Sequence, residues 1–448
     1  MPTPASIVFV VTDDLDEQSL PYMQHSLELI ASQGVRFTNS FVPTSECAPS
    51  RASILTGQYA HNTGMLANAA PRGGYNTFYG SHEASTVATW LKPAGYRTIL
   101  VGKYLNGYPS GSPTYVPPGW DDWHADFGNE DGSENGLEYY DYSFNDNGVV
   151  TQYGSDPSSD YETDQLAQRA LAALKQVPAG QPFFMYLAPR APHRPAIRAQ
   201  RFDGLFTDLS APRTPNWNEG DMSGKPNWLR AMDPLTPEQE GKVDQLFRDR
   251  LGTLQSVDMM IAQLVQELDT EGRLANTYLV LTSDNGFLMG AHRFQHGKEA
   301  PYEESIRVPL VVRGPGISPG LKVDALVFNV DYAPTFAEWA GASTPQVDGR
   351  SFAALARGES VTGWRSDLLL EHWQTQLKEL EGAIPDFVGL RTTTYTYVEY
   401  ATGEHELYDI TNDPYELSNQ YLSGNTTLLG TLQARVDALK ACRGSSCQ

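Results

Sequence analysis

Cys47 stands four residues before Arg51 in the stretch Ser45-Glu46-Cys47-Ala48-Pro49-Ser50-Arg51, which then turns helix-friendly at Ala52-Ser53-Ile54-Leu55. Pro49 suits a first helical turn. That places Cys47 near the positive end of a helix dipole, where free N–H groups favour an anion. Such a position either lowers a thiol's pKa or holds a substrate oxyanion; a lone cysteine is otherwise a small buried hydrophobe.

Oxygen donors cluster at the ends of two strand-like runs. Val10-Val11-Thr12 leads into Asp13-Asp14, and Val280-Leu281-Thr282-Ser283 into Asp284-Asn285-Gly286. Either group alone reads as turn residues. Gathered at one sheet edge, three carboxylates and a carboxamide repel unless a cation joins them. An all-oxygen set suits Ca²⁺ or Mg²⁺ and not Zn²⁺. Basic side chains follow strands in the same way: Lys103 after Arg97–Gly102, His193 after Phe183–Leu187, and Lys298 soon after Asp284. With Arg51 they would make a cationic pocket for a tetrahedral oxyanion, sulfate or phosphate.

The elements that must position these groups follow from pattern. Ile7–Thr12, Val35–Phe41, Arg97–Gly102, Phe183–Leu187, Thr277–Thr282 and Leu310–Val312 read as strands. Met23–Gln33, Cys47–Tyr59, Thr86–Lys92, Asp164–Leu174, Pro237–Leu268 and Val330–Trp339 read as helices, while 106–160 and 195–235 read as irregular. The alternation predicts an α/β fold, a large mostly parallel sheet with helices on both faces. Ligands of such sheets bind beyond the carboxyl ends of the strands. Later, Ser366–Leu370, Tyr395–Glu399 and Glu406–Tyr408 read as short strands and Leu428–Ala441 as a helix. The expectation is a catalytic domain over 1–345 and a C-terminal antiparallel-sheet subdomain over 346–448.

The chain has 448 residues and a formal net charge of −22, which argues against a nucleic-acid partner. No apolar run is long enough to span a bilayer. The N-terminus lacks a basic segment followed by an apolar core. The chain is therefore either intracellular or exported with its leader outside this sequence, and the periplasmic or extracellular reading is favoured. Cys442 and Cys447 bracket Arg-Gly-Ser-Ser and either pair in an oxidising compartment or remain thiols, which leaves Cys47 as the odd cysteine.

Cys47-Ala48-Pro49-Ser50-Arg51 with Ala52-Ser53-Ile54-Leu55-Thr56-Gly57 resembles the signature of the formylglycine-dependent sulfatases of the alkaline-phosphatase superfamily. The resemblance extends to Thr12-Asp13-Asp14, Gly102-Lys103-Tyr104, Ser283-Asp284-Asn285-Gly286, Pro301-Tyr302-Glu303-Glu304-Ser305 and Leu407–Pro414. Within the family, Gly102–Tyr108 and Tyr115–Trp120 look most similar to the glucosamine-6-sulfatases and extracellular endosulfatases.

The resemblance implies that a formylglycine-generating enzyme oxidises Cys47 to formylglycine. Its hydrate would attack the sulfur of a sulfated carbohydrate or aryl sulfate, and its second hydroxyl would release the sulfate. Asp13, Asp14, Asp284 and Asn285 would bind Ca²⁺ (or Mg²⁺), with residue 47 completing the shell. Arg51 would steady the diol, Lys103 and Lys298 would bind sulfate oxygens, and His193 would bind sulfate and protonate the leaving oxygen. Many relatives carry a histidine where this chain has Leu105, which leaves Asn106, His61 and His292 as guesses for the base of sulfate release.

A phosphonate or phosphate diester hydrolase of the same superfamily is the nearest alternative. A cysteine-dependent phosphatase needs a longer loop than the three residues between Cys47 and Arg51. A non-catalytic sulfoglycan-binding protein would stack sugars on rings such as Trp120, Trp123, Tyr139, Tyr140 and Tyr142, which otherwise pack loops. His372 and Trp373 are further candidates for sugar contact.

Overall fold

The computed structural model describes residues 4–127, 139–374 and 383–448. In chain order its first twelve strands are β1 (Ser6–Thr12), β2 (Val35–Phe37), β3 (Ser40–Phe41), β4 (Arg97–Gly102), β5 (Asp122–Phe127), β6 (Ser143–Asp146), β7 (Val149–Gln152), β8 (Phe183–Ala188), β9 (Thr277–Ser283), β10 (Leu310–Arg313), β11 (Leu321–Val323) and β12 (Val327–Phe328). Ten of them form one sheet in the order β11-β2-β10-β9-β1-β8-β4-β5-β6-β7. Its centre, β9-β1-β8-β4-β5, is parallel, while β10, β6 and β7 run antiparallel to their neighbours.

Every residue of β1 is buried, and alternate side chains enter different layers. Ile7, Phe9 and Val11 pack toward the helices Val87–Leu91 and Tyr332–Ala340. Val8 and Val10 pack toward Glu162–Lys175 and Pro237–Thr270. A strand covered on both faces needs an unbroken apolar run, which is what Ile7–Val11 provides. Each such side chain contributes about 1.5–3 kcal/mol on burial. The long helix begins at a capping box in which Thr236 accepts from the Gln239 amide at 3.3 Å, with Pro237 in its first turn.

Four later strands, β13 (Asp367–His372), β14 (Phe387–Thr392), β15 (Tyr395–Tyr400) and β16 (His405–Asp409), form an antiparallel meander. Leu368–Leu370, Leu390 and Val398 from this sheet share a core with Phe41, Tyr59 and Phe328. Together with the helix Thr426–Leu439, this gives the expected α/β architecture, a large mostly parallel sheet followed by a small antiparallel one, and β3 pairs with β12 in a further two-stranded sheet.

The differences in detail have physical causes. The run Val35–Phe41 is two strands, β2 and β3, in separate sheets. Met23–Gln33 holds only a short α-turn, Gln24–Ser26, followed by a wider π-turn, Leu27–Ala31. The segment read as irregular contains β5, β6 and β7; its residues 128–138 lie outside the described part. Asp122 and Asp126 hide β5 from a hydrophobicity reading, yet both are buried in ion pairs with Arg97 and Arg190. The strand β14 escaped through Gly389 and Arg391. A Cβ on Gly389 would lie 2.7 Å from the Tyr397 carbonyl, so the close approach of β15 requires glycine.

Candidate active site

Strand register assembles the site. Thr12 of β1 is paired with Ser283 of β9, so the residues that follow, Asp13-Asp14 and Asp284-Asn285, leave the sheet side by side. The junction is locked by Asp284 N–H donating to the Thr12 carbonyl at 3.1 Å and Asp14 N–H donating to Asp284 Oδ1 at 3.1 Å. Asp14 takes φ of +70°, an uncommon conformation for a residue with a Cβ. On the other side of β1, Gly102 of β4 pairs with Ala188 of β8. That register brings Lys103 and the loop carrying His193 to the same edge.

The helix Cys47–Thr56 starts at Cys47 itself and is buried throughout. Gly57 closes it with φ of +66°. Ser50 donates to the Asp284 carbonyl and accepts from Asn329 Nδ2 at 2.8 Å, which pins the first helical turn to the end of β9.

Around Cys47 the charged side chains interleave. Its Sγ donates to Asp13 Oδ1 at 3.3 Å and lies 2.7 Å from Lys298 Nζ. Lys298 also donates to Asp14 Oδ1 at 2.6 Å, and Lys103 donates to Asp13 Oδ2. Arg51 Nε donates to Asp284 Oδ2 at 2.8 Å, and its Nη1 donates to the Lys103 carbonyl at 3.1 Å. His193 Nε2 is 3.9 Å from Asp14 Oδ2; at 26% side-chain exposure it is the most accessible of these groups.

Burial alone would raise Asp13, but Lys103, His193, Arg51 and Lys298 hold its carboxyl well below the usual carboxylate range. Burial likewise opposes the charge on Lys298, yet Asp14 and its neighbours keep the ammonium well above its ordinary value. Burial and the negative charge of Asp13 push the Cys47 thiol well above its ordinary value. The start of the helix therefore does not present a thiolate: burial above all, with Asp13 alongside, keeps the proton on sulfur.

The donor set fits a hard divalent cation. One oxygen from each of Asp13, Asp14 and Asp284 lies within 4.8 Å of the others. Asn285 is fully buried, and its Oδ1 has no hydrogen-bond partner among the described residues. A buried carbonyl oxygen left open beside three carboxylates is the arrangement such an ion satisfies.

The sulfatase family profile matches residues 5–342, and that of the N-sulphoglucosamine sulphohydrolase C-terminal region matches 290–441. The chain belongs to the sulfatase family. It is a sulfuric ester hydrolase by that membership. This sulfatase is 34% identical over 481 residues to an N-acetylglucosamine-6-sulfatase of Capra hircus, covering 99% of the chain and 84% of the relative. It also superposes with a TM-score of 0.82 and 26% identity on a solved protein in complex with its substrate D-glucosamine-2-N,6-O-disulfate, covering 97% of both chains. A phosphonate monoester hydrolase from Silicibacter pomeroyi shares the fold, with a TM-score of 0.72, 23% identity and coverage of 97% and 94%.

The structure also places the peripheral candidates. Both ring nitrogens of His61 are engaged, by Glu371 at 2.5 Å and the Cys442 carbonyl at 3.0 Å. Those of His292 meet Glu219 at 2.6 Å and Asn216 at 3.1 Å. Neither histidine has a hydrogen bond to Cys47, and in both the two ring nitrogens are already engaged. Leu105 is buried, and Asn106, an amide, supplies no proton acceptor of the required strength. Trp120, Trp123, Tyr139 and Tyr142 are buried, so they pack loops and offer no face to a sugar; Tyr140 is half-buried. His372 is also buried, with its ring 5.3 Å from that of Phe387, and Trp373 is half-buried.

The sequence reading missed Arg250. Its fully buried guanidinium donates to the carbonyls of Asp14 and Pro192 and pairs with Asp16 at 3.0 Å. It thereby links the acidic strand end to the His193 loop. The signal was an arginine among Phe247, Leu251 and Leu254 on the buried face of a helix. Cys442 and Cys447 form a disulfide. Among the described residues no helix is long and apolar enough to cross a membrane.

Proposed function

We propose that this sulfatase hydrolyses the 6-O-sulfate of a glucosamine unit, with residue 47 acting after conversion to formylglycine by a generating enzyme. The observation that carries the reading is the convergence of Cys47 with Asp13 and Lys298 at the edge where β1 and β9 end. The near full-length similarity to an N-acetylglucosamine-6-sulfatase and to a protein that takes a 6-O-sulfated glucosamine supports the sugar.

Asp13, Asp14, Asp284 and the open Oδ1 of Asn285 would hold Ca²⁺, or Mg²⁺ in its place, together with residue 47. When bound, such a cation supplies Lewis acidity toward residue 47. Formylglycine supplies a hydrated aldehyde, one hydroxyl for attack on sulfur and a second for release of sulfate. Lys103 and Lys298 orient the sulfate oxygens and offset the charge that develops on them. His193, half-buried and the most accessible of these groups, donates a proton to the departing sugar oxygen. Arg51 fixes Asp284 against the helix of residue 47.

Residues 1–345 would form the catalytic unit, and 346–448 the subdomain that walls the sugar side. The disulfide favours an exported protein, periplasmic or extracellular.

Mass spectrometry of the peptide spanning residue 47 is expected to find formylglycine in active protein; intact cysteine there would refute the mechanism. Initial rates on glucosamine 6-sulfate, an aryl sulfate and an aryl phosphate diester test the substrate. A preference for the diester would transfer the protein to the phosphonate and diester hydrolases. Sulfate release from aryl sulfates alone would refute the sugar assignment.

A further inference from the structure

One arginine beside the active site stands apart from all the others. Every other arginine of the chain makes at least one hydrogen bond or ion pair through its guanidinium. Arg194 makes none among the described residues, and it is exposed. The sequence holds 54 aspartates and glutamates against 32 lysines and arginines. Carboxylates are thus in excess, and none is placed at this guanidinium.

Its position is set by the turn that carries His193. His193 N–H donates to the Arg190 carbonyl at 2.8 Å, and Ala196 N–H donates to the His193 carbonyl at 3.0 Å. His193 Nδ1–H donates to the Arg194 carbonyl at 2.6 Å, and the Tyr139 hydroxyl donates to the His193 carbonyl at 2.7 Å. His193 Nε2 lies 3.9 Å from Asp14, so Arg194 stands one residue out from the group assigned to the departing sugar oxygen. A second loop brings His296, two residues before Lys298, which itself reaches Asp14 at 2.6 Å. Two backbone hydrogen bonds between Gly297 and Leu288, at 2.7 and 3.1 Å, hold this loop. The His296 ring is half-buried and has no hydrogen bond among the described residues. Burial and the positive charge of Arg194 push its pKa below the ordinary value, so the two side chains lie within electrostatic reach of each other.

An exposed guanidinium is hydrated at little cost to folding, so the isolation of Arg194 alone demands no partner. Its place does. Lys103 and Lys298 are engaged by Asp13 and Asp14, whereas the five donors of Arg194 are all open.

We propose that Arg194, with the His296 imidazole beside it, binds a second anionic group of the substrate, separate from the sulfate at residue 47. Resting on the reading of the protein as a glucosamine 6-O-sulfatase, this names the substrate class more closely. It is a 6-sulfated glucosamine unit that also bears an N-sulfate, or that is joined to a uronic acid. The planar guanidinium fork matches either oxyanion with two donors. The overall charge of −22 repels such a polyanion, so a preference for it needs a localised cation.

The test measures kcat/KM of the intact enzyme on glucosamine 6-sulfate, on glucosamine 2-N,6-O-disulfate, and on a disaccharide joining glucosamine 6-sulfate to a uronic acid. Wild type is expected to favour at least one doubly charged substrate over the first. Arg194→Ala should reduce that ratio about 10- to 100-fold, the loss of one charge-assisted contact, and Arg194→Lys should keep part of it. Preference for the disulfate identifies an N-sulfate as the partner; preference for the disaccharide identifies the carboxylate. A wild type without either preference, or a ratio unchanged in Arg194→Ala, overturns the inference, while hydrolysis of glucosamine 6-sulfate in the same assay upholds the function proposed above. Hydrolysis of aryl sulfates alone refutes that function and the inference with it.

Discussion

Replacing Arg51 by methionine isolates the charge at the heart of the pocket while keeping much of the apolar stem. Arg51 and Asp284 both have fully buried side chains, with Nε and Oδ2 at 2.8 Å. Burial and Asp13 already push the Asp284 carboxyl upward. Removing one partner of such a pair costs about 3–5 kcal/mol, because the other charge stays buried and unpaired. The cost is read as the difference in unfolding free energy between wild type and Arg51→Met in chelator-treated protein, with refolding checked. Adding Asp284→Asn removes the stranded charge, so the double variant should regain at least about 1 kcal/mol over the sum of the single costs. Added Ca²⁺ should narrow the gap, since a cation would compensate Asp284. Turnover should fall about 10²-fold, the loss expected from displacing a reacting group by roughly 1 Å. A single-variant cost below about 1 kcal/mol, or strict additivity in the double variant, would refute the claim that Arg51 acts by pairing with Asp284.

Lys298→Ala should lower kcat by about 10²–10³-fold on a sulfate ester, the loss typical of one oxyanion donor, and an unchanged kcat would remove Lys298 from the reaction. Arg250→Met should destabilise by about 3 kcal/mol and reduce kcat, while Arg250→Lys recovers only part, because one ammonium cannot reach Asp14, Asp16 and Pro192 together. Burial and Asp126 push Glu162 up to about 8, above its unfolded value near 4.5. Its contribution is therefore complete below that lower value and lost as pH rises through 8; Glu162→Gln should flatten the decline in stability over this window, and parallel curves would refute the reading. In unmodified protein, Cys47 should react with iodoacetamide far more slowly at neutral pH than the same thiol in unfolded chain; equal rates would contradict its burial and raised pKa.

How much was legible depended on whether a residue's environment was local. The buried run Ile7–Val11 and the acids after it are adjacent in sequence, so strand and candidate ligands could be read together. The pairing of Thr12 with Ser283 was not written locally; two alike strand ends implied only that they meet at one sheet edge. The strand β5 was hidden because its aspartates are neutralised by arginines far along the chain. The engagement of His61 and His292 stayed hidden for the same reason: their partners, Glu371 and Glu219, are distant in sequence. Arg250 was overlooked because a charge amid apolar helix positions usually snorkels to solvent, whereas this one is fully enclosed by carbonyls and Asp16.

The charge balance of the pocket explains how so acidic a protein can admit an anion. The chain carries −22 overall, a field that repels a sulfate ester. Within the site, Asp13, Asp14 and Asp284 face Arg51, Lys103 and Lys298, three negative groups against three positive ones. The lysines that would hold sulfate are thus occupied in neutralising the carboxylates that would hold the cation. A divalent ion on those carboxylates makes the local sum positive and removes the lysines' strongest partners. Sulfate affinity should therefore depend on the cation even for contacts made only by Lys103 and Lys298, because the same two ammonium groups serve both anions.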